Sequence, residues 1–99
     1  MNEFKSYLLV FDLGQGPRQE ILDYLNTLPA VKNWYAFMPT AVIIISPGLA
    51  SEIVRSFRLR FPTRNLMVTE LPFTNNDGWL DQKIWDFINN PKSSGRWPD

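Results

Sequence analysis

The chain has 99 residues, of which 44% are hydrophobic, and its ten basic and ten acidic side chains balance to a net charge of zero. A chain of this length forms one domain. It contains no cysteine and no histidine, which excludes disulfides, thiolate zinc sites, imidazole bases and Ser-His triads. Any chemistry must therefore come from carboxylate, hydroxyl, amide, ammonium and guanidinium groups.

The N-terminal residues predict no membrane segment. A polar start is followed by one short apolar stretch, 7–11, which Asp12 ends, so we expect neither a signal peptide nor a membrane-spanning helix. We expect a cytoplasmic protein without a membrane partner. Because the whole chain is neutral, any contact with nucleic acid must come from a local group of basic residues.

The first half of the chain alternates between strand and helix patterns. Residues 7–11 are strand formers, and a turn with two glycines follows them. Pro17 suits the first position of a helix, and apolar residues recur at helical spacing until Pro29, which predicts a helix over 17–28. Two further apolar runs, 34–38 and 41–45, are separated by two residues and predict an antiparallel hairpin.

The second half contains two more helix patterns and one strand. Apolar positions from 49 to 61 follow a helical period, and Pro62 ends this second helix. Residues 66–71 predict a fourth strand. Asn76 and Asp77 are typical helix caps and predict a third helix, whose apolar stripe extends to Ile88. We expect the residues after Pro91 to form a tail.

This order of elements predicts an α+β fold, a ferredoxin-like βαββαβ sandwich with an added C-terminal helix. Residues 1–91 would form this domain and 92–99 its tail. In that topology the first and third strands are central, and these two strands have unbroken apolar runs, so both of their faces need cover. The two crossover helices cover one face. The other face must meet the third helix, a second protomer or both, which predicts a homodimer.

Asp12 is the leading candidate for a catalytic residue and a metal ligand. A carboxylate at the end of a central strand lies at the rim of the sheet, where a cation and a phosphate can both reach it. Magnesium prefers oxygen ligands and usually keeps several waters, so two Asp12 side chains at a dimer interface would suffice. The plainer alternative is that Asp12 caps the Leu13-Gly14 turn through its side-chain oxygen.

The strongest charge asymmetry lies between Glu52 and Glu70, where no acidic residue occurs. Arginines in this segment are suited to bind phosphates or an acidic partner. Four of them fall within ten residues: Arg55, Arg58, Arg60 and Arg64. The alternative is an ordinary solvated helix face.

Aromatic residues form a second group with two interpretations. Trp34, Tyr35 and Phe37 on the predicted second strand are suited to stack on nucleic-acid bases. The third strand is wholly aliphatic, however, which favours packing in the core or in a dimer. We expect the same packing role for Trp79 and Trp85 on the third helix.

Several of these features resemble the CRISPR adaptation proteins of the ferredoxin-like nuclease type, and the small bacterial SinR-like and VapD-like proteins. The resemblance covers roughly residues 6–72 and rests on the first strand ending in Asp12, the hairpin containing Trp34 and the fourth strand closing near Glu70. In that family the matching aspartate is proposed to bind a divalent metal across a dimer interface, which implies Mg²⁺ or Mn²⁺ at Asp12. Basic residues follow that aspartate, and Arg18 is the matching position for a nucleic-acid contact.

Two functions fit these residues. The resemblance implies a homodimer that binds nucleic acid and acts as a metal-dependent endonuclease, in which Asp12 carboxylates hold the ion that activates water. The alternative is a non-catalytic module for protein-protein interaction, which uses the apolar sheet face and the arginines of the second helix.

Overall fold

The computed structural model of the protein describes residues 4–71 and 75–91. Within these residues it has the predicted α+β fold, built from four strands and three helices. The elements are, in chain order, β1 (Lys5–Phe11), α1 (Arg18–Leu25), β2 (Asn33–Met38), β3 (Ala41–Ser46), α2 (Ala50–Arg60), β4 (Leu66–Glu70) and α3 (Gln82–Asn89). The predicted tail, 92–99, lies outside the described residues.

The four strands form one antiparallel sheet in the order β2-β3-β1-β4. The inner strands are β1 and β3, and Leu9 of β1 lies opposite Val42 on one side and Val68 on the other. Every residue of β3 is buried, because layers of side chains cover both of its faces. The unbroken apolar run of β3 is therefore the pattern that its position in the sheet requires.

The main core lies between one face of the sheet and the helices α1 and α2. Side chains alternate along a strand, so β1 directs Tyr7, Leu9 and Phe11 to this face. The helices contribute fully buried Ile21, Leu25, Ile53 and Phe57. Burial of each such side chain stabilises the fold by about 1.5 to 3 kcal/mol.

The helix α3 packs on the opposite face of the sheet, within its own chain. Phe87 and Ile88 are buried against Ile43 and Ile45, and the ring of Phe87 meets that of Tyr35 edge to face at 5.8 Å. The Ser6 hydroxyl of β1 also donates a hydrogen bond to the carbonyl of Ile88. The sequence left open whether the third helix, a second protomer or both would cover this face. The third helix covers the part of the face next to Ile45.

Two helix boundaries differ from the prediction by more than one residue. The helix α1 ends at Leu25, three residues early, because the backbone N–H and the hydroxyl of Thr27 both donate to the carbonyl of Tyr24. The helix α3 begins at Gln82 rather than at the caps Asn76 and Asp77. Gly78 has a low helix propensity, and the Asp77 carboxylate accepts from its N–H at 2.8 Å.

No helix among the described residues is long and apolar enough to cross a membrane.

Candidate functional site

The Asp12 carboxylate caps the turn that follows β1. Its Oδ1 accepts a hydrogen bond from the N–H of Gly14 at 2.8 Å, and Leu13–Gln15 form one 3₁₀ turn. This is the structural role that the sequence offered as the alternative to metal binding. The residue is exposed, and among the described residues no three Asp, Glu, His or Cys side chains come together as a metal site.

A groove of about 360 Å³ begins beside Asp12. Its lining is apolar apart from two polar residues, Asp12 and Asn65. The other lining residues are Val10, Phe11, Leu66 and Met67. Since β1 and β4 are neighbours, this groove lies at the Asp12 end of that strand pair.

Arg64 is turned into the protein, in contrast to the solvent-facing role that phosphate binding requires. The residue is 5% exposed, and its guanidinium donates to three backbone carbonyls. Nε bonds to Asp12 at 3.2 Å, Nη2 to Gly16 at 2.6 Å and Nη1 to Pro17 at 3.3 Å. Nη1 also lies 3.6 Å from the carboxylate of Glu20. Arg64 therefore orders the loop between β1 and α1, and its donors are not available to a nucleic acid.

The conformation of Gly16 explains why this loop contains glycine. Its φ is +153°, a region that side chains rarely adopt, and a Cβ here would lie 2.9 Å from Glu20 Oε1 and 3.0 Å from Arg64 Nη1. The backbone thus passes directly against the buried guanidinium. Gln15 fixes the same loop from the other side, since its Nε2 donates to Thr63 and its Oε1 accepts from the N–H of Asn65.

Arg18 is half-buried at the opposite edge of the sheet from β4. Its Nη2 donates to the carbonyl of Ala36 at 3.2 Å and approaches that of Met38 at 3.4 Å. These two residues belong to the stretch of β2 where the register with β3 shifts. The side chain therefore stabilises an irregular strand, and the structure places it apart from the arginines of α2.

The outward face of α2 presents Arg55 and Arg58. Both residues are exposed, and a spacing of three residues puts them on the same side of the helix. Glu52 is close in sequence, but its carboxylate accepts from the N–H of Leu49 at 2.7 Å. Among the described residues, neither arginine has a carboxylate within salt-bridge distance.

Arg60 lies on a different side of α2. Its guanidinium carbon is 4.6 Å from the centroid of the Phe61 ring, and the side chain lines a cavity of about 240 Å³ together with Glu20 and Asp23 of α1. The acidic neighbours give this cavity a mixed charge, which is unfavourable for a phosphate. Of the five predicted contacts, only Arg55 and Arg58 are brought together on an open surface.

Leu59 is a surface residue that the pattern of charges in the sequence does not indicate. It is 82% exposed and follows Arg55 by four residues, so it lies on the same outward face. The helical period does contain this signal, because position 59 falls opposite the buried side chains of Ile53 and Phe57. An exposed leucine beside two exposed arginines gives this face a mixed apolar and basic character.

Most of the aromatic residues are packing residues, as expected. Trp34 packs against the main core and its indole N–H donates to Asn26 at 3.0 Å, while Tyr35 and Phe37 pack under α3. Trp85 also packs in this second cluster. Trp79 is the exception: it precedes α3 and is fully exposed, so the expectation that it packs against the body is wrong.

Comparisons with protein-family models, with curated proteins and with solved structures found no match.

Proposed function

We propose that this protein binds the backbone of a nucleic acid through Arg55 and Arg58. The observation that carries the proposal is their shared exposed face on α2, without a neighbouring carboxylate among the described residues. Each guanidinium keeps a planar set of N–H donors, which match the geometry of phosphate oxygens. Arg18, Arg60 and Arg64 are left out of this contact, because their guanidinium groups have protein neighbours.

A salt titration of binding tests the proposal. Each arginine that contacts a phosphate releases bound counterions, so the logarithm of affinity falls with the logarithm of salt concentration by about 0.7 to 0.9 per contact. Replacing both Arg55 and Arg58 by alanine should therefore flatten the slope by about 1.4 to 1.8. The probes are labelled single-stranded RNA and double-stranded DNA of mixed sequence.

A matched variant controls for the loss of two positive charges. Lys32→Ala with Lys83→Ala removes the same net charge from two other exposed positions. We expect this control to keep the salt slope of the original protein. Equal slopes for the two double variants would contradict the proposed contact and indicate an effect of net charge alone.

The order of the elements is the observation behind a second part of the proposal, which concerns the fold. The chain order is strand, helix, strand, strand, helix, strand, and the sheet order is β4-β1-β3-β2. Both orders support a ferredoxin-like sandwich with split βαβ units. We therefore propose a ferredoxin-like domain related to the CRISPR adaptation and SinR-like proteins, and a cytoplasmic location with it. Homodimer formation is part of the same proposal.

Cleavage of the bound nucleic acid at Asp12 is a separate proposal. When bound, Mg²⁺ or Mn²⁺ activates water for phosphodiester hydrolysis. Among the residues that the structure describes, one chain supplies one carboxylate here, and Oδ1 of that carboxylate already accepts from the N–H of Gly14. The described residues therefore fit a metal centre only if a second Asp12 approaches from a partner chain, with oxygens of the two carboxylates about 4 Å apart.

The Asp12→Asn variant tests cleavage without disturbing the turn. Asparagine keeps a side-chain oxygen that can accept from the N–H of Gly14, so only the charge is lost. Cleavage of labelled RNA or DNA with magnesium or manganese should disappear in this variant if Asp12 holds the ion. If neither protein cleaves, the nuclease proposal fails while binding through α2 stands.

Leu59 favours a second candidate function, which is binding of another protein. A nucleic-acid backbone offers no apolar surface to an 82% exposed leucine, whereas an acidic protein surface with an apolar patch at one side would contact Leu59 and both arginines. Leu59→Ser separates the two functions. It should leave the affinity for nucleic acid within about twofold, while binding of a protein partner would fall by about tenfold or more.

A further inference from the structure

Within the described residues, no strand pairs with the outer edge of β4. The N–H of Asp12 donates to the carbonyl of Asn65, and that of Leu71 donates to Ser6, so the odd-numbered residues from 65 to 71 direct their backbone groups toward β1. In an antiparallel pair the alternate residues point the other way. The N–H and C=O groups of Leu66, Val68 and Glu70 therefore point outward, where the described part of the chain places no strand.

The opposite edge of the sheet is irregular. The register between β2 and β3 shifts between Tyr35 and Met38, and Arg18 occupies the carbonyls of Ala36 and Met38. An irregular edge of this kind disfavours the addition of a further strand. The regular β4 has neither feature, so the two edges differ in their ability to take a partner.

An apolar surface accompanies the open edge. Met67 of β4 is 57% exposed and lines the groove of about 360 Å³ with Val10 and Leu66. Residues opposite one another in the sheet share a face, so Met67 and Val10 lie on the face that also carries Ile43. The cluster under α3 contains neither Met67 nor Val10, so no helix of the described ranges, 4–71 and 75–91, covers this half of the face.

We propose that β4 pairs with β4 of a second copy of this chain, around a two-fold axis at Val68. Val68 then lies opposite Val68 of the other copy, and Leu66 lies opposite Glu70. This register forms about six backbone hydrogen bonds from the three outward residues of each chain. It also keeps the two Glu70 carboxylates away from each other, since like charges directly opposite destabilise a strand pair.

The proposed dimer deepens the proposed function. A local two-fold axis of an antiparallel pair stands perpendicular to the sheet, so both α2 helices come to lie on the same face of an eight-stranded sheet. Because α2 lies against β4 in each chain, the two Arg55 and Arg58 sets would flank the axis and form one longer basic surface. The proposed pairing rests on the outward backbone groups of β4 alone and does not depend on nucleic-acid binding.

The same geometry separates the two Asp12 carboxylates. Asp12 directly follows β1 and lies opposite Asn65. It is therefore three residues along the strand direction and one and a half strand spacings away from the axis at Val68. The two carboxylates are then about 25 Å apart. A metal shared between them requires a different interface, so this dimer and the paired Asp12 site exclude one another.

Single cysteines test the register, because the chain has no cysteine of its own. In the proposed pair, residue 67 lies opposite residue 69 of the other copy at a Cα separation of about 4.5 Å, which a disulfide can bridge. Residue 67 lies about 8 Å from its own counterpart, which is too far. Both Met67 and Thr69 are exposed, so cysteine there leaves the core intact.

We expect a disulfide-linked dimer when Met67→Cys and Thr69→Cys chains are mixed and oxidised without nucleic acid, and little linkage when either chain is oxidised alone. Equal linkage in all three samples would overturn the register. The full chain should also be dimeric by light scattering in the micromolar range. A monomer there would overturn the dimer, whatever the outcome of the salt titration.

A second pair of variants tests the edge itself. Glu70→Pro removes an N–H that points away from β1, and should raise the dimer dissociation constant about tenfold or more while leaving the monomer folded. Glu70→Gln keeps that N–H and should leave the dimer unchanged. In hydrogen exchange, the amides of Leu66, Val68 and Glu70 should be protected only in the dimer. Protection in dilute monomer would show that the same chain covers this edge, and would overturn the proposal.

Discussion

Replacing Arg64 by alanine should destabilise the fold strongly, although arginine substitutions at protein surfaces usually have small effects. The side chain is 5% exposed and donates to the carbonyls of Asp12, Gly16 and Pro17. A hydrogen bond to a charged group contributes about 1.5 to 3 kcal/mol. Asp12 and Pro17 are exposed residues, so water can partly replace two of the three bonds.

The expected loss is therefore about 2 to 4 kcal/mol of the free energy of unfolding. This is a large share of the roughly 5 to 15 kcal/mol available to a domain, and it corresponds to a fall in Tm of about 10 to 20 °C. Loss of packing against the rings of Phe11 and Phe61, whose centroids lie 5.5 and 5.8 Å from the guanidinium carbon, acts in the same direction.

Urea unfolding followed by circular dichroism measures this loss, with Arg58→Ala as the control. Arg58 is exposed, so its replacement should change the free energy of unfolding by less than about 0.5 kcal/mol. Arg64→Lys keeps the charge but not the planar set of donors, and should fall between the two. An Arg64→Ala variant within 0.5 kcal/mol of the original protein would refute the role assigned to this side chain.

Three further substitutions test other parts of the fold. Gly16→Ala should cost about 1 to 3 kcal/mol, because φ is +153° and the new Cβ would meet the Arg64 guanidinium; an unchanged Tm would contradict this. Phe87→Ala should cost about 3 to 5 kcal/mol in urea unfolding if α3 is packed on the sheet as described, and a loss below 1 kcal/mol would argue against that packing. Burial, followed by the charges of Glu70 and Glu52, raises the pKa of Tyr7 above 10.0. Because the neutral phenol is favoured in the folded state, this pKa shift adds to the free energy of unfolding below pH 10, and the addition is lost as pH rises further. Tyr7→Phe should remove this part of the fall in the free energy of unfolding above pH 10. If that free energy depends on pH in the same way in both proteins, the role of Tyr7 is disproved.

The strands and most helix ends could be predicted because their signals are local. The apolar runs of β1 and β3 mark the inner strands, and Pro62 follows the end of α2 closely. The start of α3 was missed because Asn76 and Asp77 look like caps in isolation. Gly78 has a low helix propensity, and Trp85 packs beside it. For these reasons α3 begins only at Gln82.

The roles of the arginines could not be predicted, since they depend on which distant segments meet. Arg64 bonds to residues 47 to 52 positions earlier in the chain, and no local pattern shows that the loop after β1 will lie beside it. In the sequence, Arg64 looks like Arg55 and Arg58. The helical period does place these last two on one outward face, which is why the α2 surface is the part of the candidate site that the sequence could indicate.

The difference between the two edges of the sheet also limits how far this protein can assemble. A sheet with two open edges can add copies at both ends and grow into a filament. Here the shifted register of β2 and the guanidinium of Arg18 disfavour pairing on one side, and β4 is the only regular edge that the described residues offer. In the proposed dimer, growth would therefore stop at two chains, because the pairing that joins the copies covers the edge on which aggregation would begin.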